Sequence, residues 1–293
     1  MPRSLANAAL LLAAAIWGGA FVVQKAGAAH LGPMTFTGVR FLIGALIVLP
    51  FALRAWRTVR LGRTEWLGML ATGGALFAGA VLQQIGINGT TATNAGFLTT
   101  LYVPLVPLLV FAAVRTVPHP VVWPAGIGCV LGTWLLSGGG AVTLGAGDAW
   151  VVVSAFFWAV QVSLVGTMAE RTGAPTVVAF VQFLMCGVLS TLWGAAAEST
   201  TVAELADAGL AIAYTGVLSV GVAFTLQVVG QRWTSAASAA VILSSEAVFA
   251  ALAGMVALGE TLNAPQLLGC AIILGSILAV QLLPSWQESR AAA

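Results

Sequence analysis

Long runs of apolar residues alternate along the chain with short connections that carry most of the charge. A helix needs about 20 predominantly apolar residues to cross the hydrocarbon core of a bilayer. This length predicts an all-α membrane protein with two sets of five spans, numbered one to ten along the chain. Spans one to five are 5–24, 33–53, 66–87, 93–114 and 121–138, and spans six to ten are 149–168, 175–196, 210–230, 235–258 and 265–283.

Composition excludes a soluble protein. Of the 293 residues 60% are hydrophobic and 7% are charged, whereas a soluble domain carries about 25% charged residues to face water. The net charge of +2 is small and the basic residues form no patch among aromatic ones, so nucleic-acid binding is not expected. The three cysteines lack CxxC spacing, so we predict no disulfide framework, metal site or cofactor.

The charged connections predict the orientation, because basic residues tend to remain on the cytoplasmic side. With a cytoplasmic N-terminus, that side holds nine arginines, the other side holds only Lys25, and Arg40 lies within span two. Both termini are then cytoplasmic, and the protein is expected in the cell inner membrane. The arginines are Arg3, Arg54, Arg57, Arg60, Arg63, Arg115, Arg171, Arg232 and Arg290; the far side collects Asp148, Glu198, Glu204, Asp207 and Glu260.

The two sets of spans resemble each other at an offset of about 142 residues, which predicts repeats over 1–145 and 146–293. Five spans are an odd number, so the second repeat must enter the membrane inverted. Inverted repeats are an architecture of secondary transporters, with the substrate site near the midplane; a duplication without a transport role is the alternative. The closest match sets Gln83, Gly86, Thr90 and Asn94 against Gln227, Gly230, Thr234 and Ser238.

Polar side chains at midplane depth are the first candidates for a substrate site. Gln83 and Gln227 are repeat-related and can donate and accept hydrogen bonds with a zwitterion; alternatively they bond neighbouring helices, at about 0.6 kcal/mol each. Glu246 lies near the centre of span nine, where an ionised side chain costs about 2.5–3.5 kcal/mol. We expect it to face the interior, as a substrate-amine contact, a proton-coupling carboxylate or a neutral packing group. Weaker candidates are Asn94, Thr99 and Gln161.

Three aromatic residues, Trp17, Tyr102 and Trp158, lie inside spans rather than in the interfacial belts where aromatic residues collect. They are predicted to wall a substrate cavity, with helix packing as the alternative. For Arg40 we favour a structural pairing with a carbonyl or an acid over a contact with a substrate carboxylate. Lys25 is expected to reach the outer interface.

Prolines predict a bend in span four, which contains Pro104 and Pro107. Such a bend would let backbone carbonyls face a cavity, as broken transporter helices do.

The order of several short motifs resembles the EamA-type branch of the drug/metabolite transporter superfamily. These motifs are a Trp in spans one and six, Arg40-Phe41, and 246–252 followed by Leu258-Gly259-Glu260. The resemblance implies a five-plus-five layout and export or exchange of amino acids and other metabolites, and it is strongest to amino acid exporters of the YddG type. The family often has Glu-Pro where this chain has Glu246-Ala247, so span nine is expected to be less kinked.

Taken together, these features predict a secondary exporter of small amphipathic metabolites, with neutral amino acids that carry apolar or aromatic side chains as the first choice. Its partners would be an amino acid substrate and the lipid bilayer. No GxxxxGK[ST] motif occurs, so ATP is not expected to drive it. A membrane-embedded enzyme, a channel, a scaffold, or a transporter of other metabolites such as nucleosides or drugs are the alternatives. Coupling ion and oligomeric state stay open.

Overall fold

A computed structural model describes residues 1–115, 117–140, 145–258 and 261–291, and within these ranges it contains helices and no strand. Helices occupy all ten predicted spans, and one additional short helix, Val202–Asp207, precedes span eight. The first repeat comprises Arg3–Gly27, Pro33–Trp56, Arg63–Gly89, Ala92–Thr99 with Tyr102–Val114, and Val122–Leu136. The second comprises Ala146–Thr172, Pro175–Ala197, Gly209–Ala213 with Tyr214–Phe224 and Thr225–Gln231, Ala236–Leu243 with Glu246–Leu258, and Ala264–Ala291.

In the described part of the chain, nine helical spans are long and apolar enough to cross a membrane. The tenth is span five, Val122–Leu136, which is apolar but has 15 residues. At about 1.5 Å per residue it extends roughly 22 Å, less than the roughly 30 Å of a hydrocarbon core. The predicted all-helical, ten-span fold is confirmed, with one span shorter than the sequence indicated.

The outer surface is apolar, as contact with lipid tails requires. Large hydrophobic side chains project from it, and Leu46, Phe51 and Leu192 are 66%, 63% and 64% exposed. Water would penalise such exposure by about 25 cal/mol for each Å² of apolar surface, whereas hydrocarbon imposes no such cost. These side chains therefore mark the surface that faces the bilayer.

Small residues bring the helices close together inside this surface. Spans two and seven pack along their length. A Cβ atom on Gly38 would lie 2.7 Å from the backbone nitrogen of Thr191, and one on Gly187 would lie 2.9 Å from that of Leu42. A larger residue at either position would force the two helices apart.

The packing partners follow the two-fold symmetry of two inverted repeats. Span two contacts span seven and span five contacts span ten, so each pair joins equivalent helices. Span one contacts span eight and span three contacts span six, and the symmetry exchanges these two pairs. Spans four and nine, which are also equivalent, meet near the middle of the molecule.

Spans four and nine are both broken at the same repeat position. In span four the amide of Leu101 bonds Leu98 O and that of Val103 bonds Thr100 O. In span nine the equivalent amides of Ser245 and Ala247 bond the carbonyls of Ile242 and Ser244. Each break replaces i→i−4 bonds by tighter i→i−3 bonds and lets a new helix begin, at Tyr102 and at Glu246.

The break in span four follows from Pro104, whose ring displaces the carbonyl four residues earlier and removes its hydrogen bond. Span nine lacks a proline after Glu246, yet its helix is interrupted there as well. No proline interrupts the helix at this point. Instead, the hydroxyls of Ser244 and Ser245 donate to the backbone carbonyls of Val241 and Ile242, at 2.6 and 2.7 Å. Serine side chains that bond backbone carbonyls in this way commonly bend helices.

Span eight contains a π-helical stretch, Tyr214–Phe224, which the sequence analysis does not predict. Wider turns of this kind commonly occur at functional sites. Two side-chain contacts tie this stretch to span one. The hydroxyl of Tyr214 donates to Ile16 O at 2.7 Å, and the indole nitrogen of Trp17 donates to Ser219 O at 3.3 Å.

Candidate functional site

A cavity of about 60 Å³ lies between the two repeats, and all six predicted site residues line it. They come from spans one, three, four, six, eight and nine, so both halves contribute to its lining. Arg40 adds span two. The full lining is Trp17, Ala20, Phe21, Gln24, Arg40, Gln83, Thr99, Tyr102, Trp158, Val162, Ser219, Phe224, Gln227, Leu243 and Glu246.

Amide groups from both repeats line the cavity, but they are held differently. In the first repeat, Gln83 donates to the hydroxyl of Thr99 at 2.9 Å. In the second, Gln227 donates to Gln161 Oε1 at 3.2 Å, and Gln161 donates to Gln182 Oε1 at 3.1 Å. The amide oxygen of Gln227 has no partner within the described part of the chain. A buried acceptor of this kind can take a hydrogen bond from a ligand at little cost.

Aromatic rings form another wall, with Phe224 at its centre. The Phe224 ring lies 4.6 Å from that of Trp17 and is stacked on that of Trp158, at 5.7 Å and an interplanar angle of 20°. Phe224 was not among the site residues predicted from the sequence. The sequence feature that could have identified Phe224 is its spacing from Gln227, because residues three apart lie on the same helix face. A planar or apolar side chain of a ligand would meet this surface.

Tyr102 and Glu246 occupy equivalent places, each as the first residue of the helix that follows a break. Helix N-termini carry partial positive charge, so an acidic group at this position is stabilised. The Tyr102 hydroxyl lies 3.5 Å from Ala240 O, which is long for an O–H···O bond. Glu246 is 7% exposed, and its carboxyl group has no ion pair or hydrogen bond to any residue that the structure describes.

Arg40 is buried and bonds a neutral partner, the amide oxygen of Gln24, at 2.6 Å. The structural pairing favoured from the sequence is thus present, but the same side chain also lines the cavity, which the sequence analysis did not include among the site residues. Lys25 is held at the end of span three. Its ammonium donates to the carbonyls of Ile87 and Asn88, at 2.8 and 3.2 Å, and so caps the end of span three.

A larger groove of about 750 Å³ adjoins the cavity, and Phe21 and Glu246 line both. It lies where span one finishes and span four begins, with walls from spans one, four, five, nine and ten. Thr93 at the start of span four is exposed. At the opposite end of the molecule the equivalent segment of span nine, residues 237–243, is buried throughout. The cavity therefore adjoins the groove at one end, whereas buried residues of span nine occupy its other end.

Comparison with known proteins gives a consistent picture. The EamA-like transporter family model matches twice, at residues 4–138 and 145–282. An uncharacterized transporter of Archaeoglobus fulgidus is 32% identical over 96% of this chain and 87% of its own length. The threonine/homoserine exporter RhtA of Salmonella typhimurium is 28% identical over 88% of this chain and 86% of its own; that of Escherichia coli is 29% identical over 96% and 92%.

A solved crystal structure has the same fold. It superposes with a TM-score of 0.82 at 20% sequence identity, and the match covers 98% of this chain and all of the other. The fold, the double match and the relatives agree on a multi-pass membrane protein made of two related halves. The chain belongs to the EamA-like transporter family.

Proposed function

We propose that this protein is a secondary transporter that exports neutral amino acids, with a preference for apolar or aromatic side chains. Membership of a transporter family supports small-solute transport. The RhtA relatives, named as threonine/homoserine exporters, support amino acids as the substrate class. The proposal also includes an inner-membrane location, cytoplasmic termini, and repeats that divide at 145/146.

The observation that carries the substrate class is the lining of the cavity between the repeats. It combines amides from Gln83 and Gln227, one carboxyl group from Glu246, and the aromatic surface around Phe224. A neutral amino acid has matching parts: an ammonium for the carboxyl group, hydrogen-bonding groups for the amides, and a side chain for the rings. Among the described residues that line the cavity, Arg40 is the one cation, whereas a phosphate-bearing substrate carries more negative charge than one cation neutralises.

The mechanism that fits this arrangement is alternating access around a fixed site. The groove opens the cavity toward one face while residues 237–243 close it toward the other. Because the repeats are equivalent, closing the groove with span four and opening the opposite end with span nine would produce the state that faces the other side of the membrane. In the predicted orientation, the present state faces outward.

The test is counterflow in proteoliposomes that contain the purified protein. Phenylalanine, tryptophan, threonine and homoserine are compared with glucose 6-phosphate and a nucleoside, each against an internal load of the same solute. We expect labelled amino acids to accumulate transiently and the phosphorylated sugar not to. In cells, expression should confer resistance to a toxic amino acid load. Transport of the sugar phosphate without response to any amino acid would refute the substrate class and leave the fold intact.

A further inference from the structure

Arg40 is a buried cation that lacks an acidic partner. It is 3% exposed, and its guanidinium donates to the neutral amide oxygen of Gln24. Its Nε is buried without a hydrogen-bond partner. The single ion pair among the described residues joins Arg171 to Glu65 at 3.5 Å and does not involve Arg40. A charged residue within a transmembrane span normally pairs or faces a functional cavity, and Arg40 does the latter.

The rings of Phe36 and Phe41 hold the guanidinium in place, with their centroids 5.4 and 5.3 Å from its central carbon. Cations are attracted to aromatic faces at such distances. The arginine is therefore positioned by Gln24 and two rings, while part of its donor set has no acceptor. A preorganised group with spare donors is suited to a ligand that brings its own acceptor.

The second repeat shows what this position requires for folding alone. Gln182 is the repeat equivalent of Arg40, within Val181-Gln182-Phe183 against Val39-Arg40-Phe41. It is fully buried, accepts a hydrogen bond from Gln161, and does not line the cavity. A neutral amide thus meets the packing needs of the equivalent site. The cation occurs only in the repeat where the side chain reaches the cavity.

We propose that Arg40 binds the carboxylate of the transported solute. Arginine presents its N–H donors in a planar fork that matches the two oxygens of a carboxylate. The incoming group would supply the acceptor that the buried Nε lacks and neutralise the guanidinium. Glu246 lines the same cavity with a carboxyl group that can carry the opposite charge, so a zwitterion could pair with both. This inference rests on the proposed function and specifies which group recognises the carboxylate end of the substrate.

The experiment compares phenylalanine with phenylalaninamide, which keeps the ammonium and the ring but lacks the carboxylate. Apparent affinities are measured by counterflow for the wild type, Arg40→Gln and Arg40→Lys. Since hydrogen bonds to charged groups are the stronger ones, we expect the wild type to prefer the amino acid by about tenfold or more. Arg40→Gln should lose that preference by weakening phenylalanine alone, and Arg40→Lys should retain part of it.

Gln182→Met is the matched control, because it changes the equivalent buried position outside the cavity. It should either lower the affinities for both solutes to the same extent or leave both unchanged. Three outcomes would overturn the proposal: a wild type indifferent between the two solutes, an Arg40→Gln variant that keeps the preference, or one that weakens both equally. The wild-type comparison stands even if Arg40→Gln does not fold. If the wild type transports no amino acid, the proposed function is refuted, and the role of Arg40 in binding a substrate carboxylate is refuted with it.

Discussion

At the scale of single residues, the geometry of the cavity allows Glu246 two roles. Its carboxyl group lies at the start of a helix, at the junction of cavity and groove, and makes no hydrogen bond or ion pair in the part of the chain described. Such a group can bind a substrate ammonium in its charged form or carry a proton in its neutral form. Both roles use the charge, whereas a packing role uses only hydrogen bonding.

The variant Glu246→Gln removes the charge and keeps the shape. If the carboxylate couples protons, the variant should lose accumulation driven by a pH gradient, by tenfold or more, while exchange of substrate continues. Uptake into proteoliposomes with and without an imposed gradient measures both activities. Glu65→Gln is the control, because it removes a partly exposed carboxylate whose ion pair with Arg171 contributes at most about 1 kcal/mol. Gradient-driven uptake that is unchanged in Glu246→Gln would exclude proton coupling by this residue.

At the scale of elements, the broken spans four and nine place Tyr102 and Glu246 at helix starts in the centre of the protein. One break has a proline and the other has serines, yet their backbone hydrogen bonds are equivalent. The repeat architecture therefore preserves the break while the residues that produce it differ. Sequence alone indicated the first break through Pro104 and missed the second.

This equivalence predicts that a proline is tolerated directly after Glu246. In Ala247→Pro, the ring would occupy the first turn of Glu246–Leu258, where proline fits, and only the bond to Ser244 O would be lost. We expect a destabilisation of about 1 kcal/mol and retained counterflow. Ala251→Pro places the same ring inside the helix, where it should cost about 3 kcal/mol or more. Thermal unfolding in detergent compares the two, and equal losses would show that the break is not a genuine helix start.

At the scale of the whole molecule, the two ends of the cavity differ, because the groove adjoins one end and buried residues of span nine occupy the other. Asn94 and Ser238 are repeat equivalents that report this difference. Asn94 is partly exposed in the segment that borders the groove, whereas Ser238 is 7% exposed. Symmetry predicts that transport exchanges their environments.

Cysteine labelling tests both the state and the orientation. In a background without native cysteines, an impermeant thiol reagent applied outside intact cells should modify Asn94→Cys and leave Ser238→Cys unmodified. Cysteines placed at either terminus or in the 54–63 segment should react only after the cells are opened. Labelling of a terminus from outside would overturn the predicted orientation. Modification of Ser238→Cys but not Asn94→Cys from outside would show that the opposite state predominates.

The residues that line the cavity could be anticipated because two independent signals coincided. Gln83 and Gln227 were both polar at midplane depth and matched in the repeats, and all six predicted residues line the same cavity. Phe224 escaped notice because an aromatic residue in an apolar span has no polarity signal and its repeat equivalent is Ala80. Arg40 was weighed but left out, because its depth in the membrane says nothing about which way its side chain points.

The sequence by itself determined the all-helical fold, the number of spans and the existence of two inverted halves. Lipid leaves little freedom in these properties: each crossing needs about 20 apolar residues, and an odd number of spans inverts the second copy. Tertiary structure decided the π-helical stretch of span eight, the proline-free break before Glu246 and the end at which the groove adjoins the cavity. These depend on contacts such as Trp17 with Ser219 O, which join residues far apart in the chain and leave no periodic pattern along it.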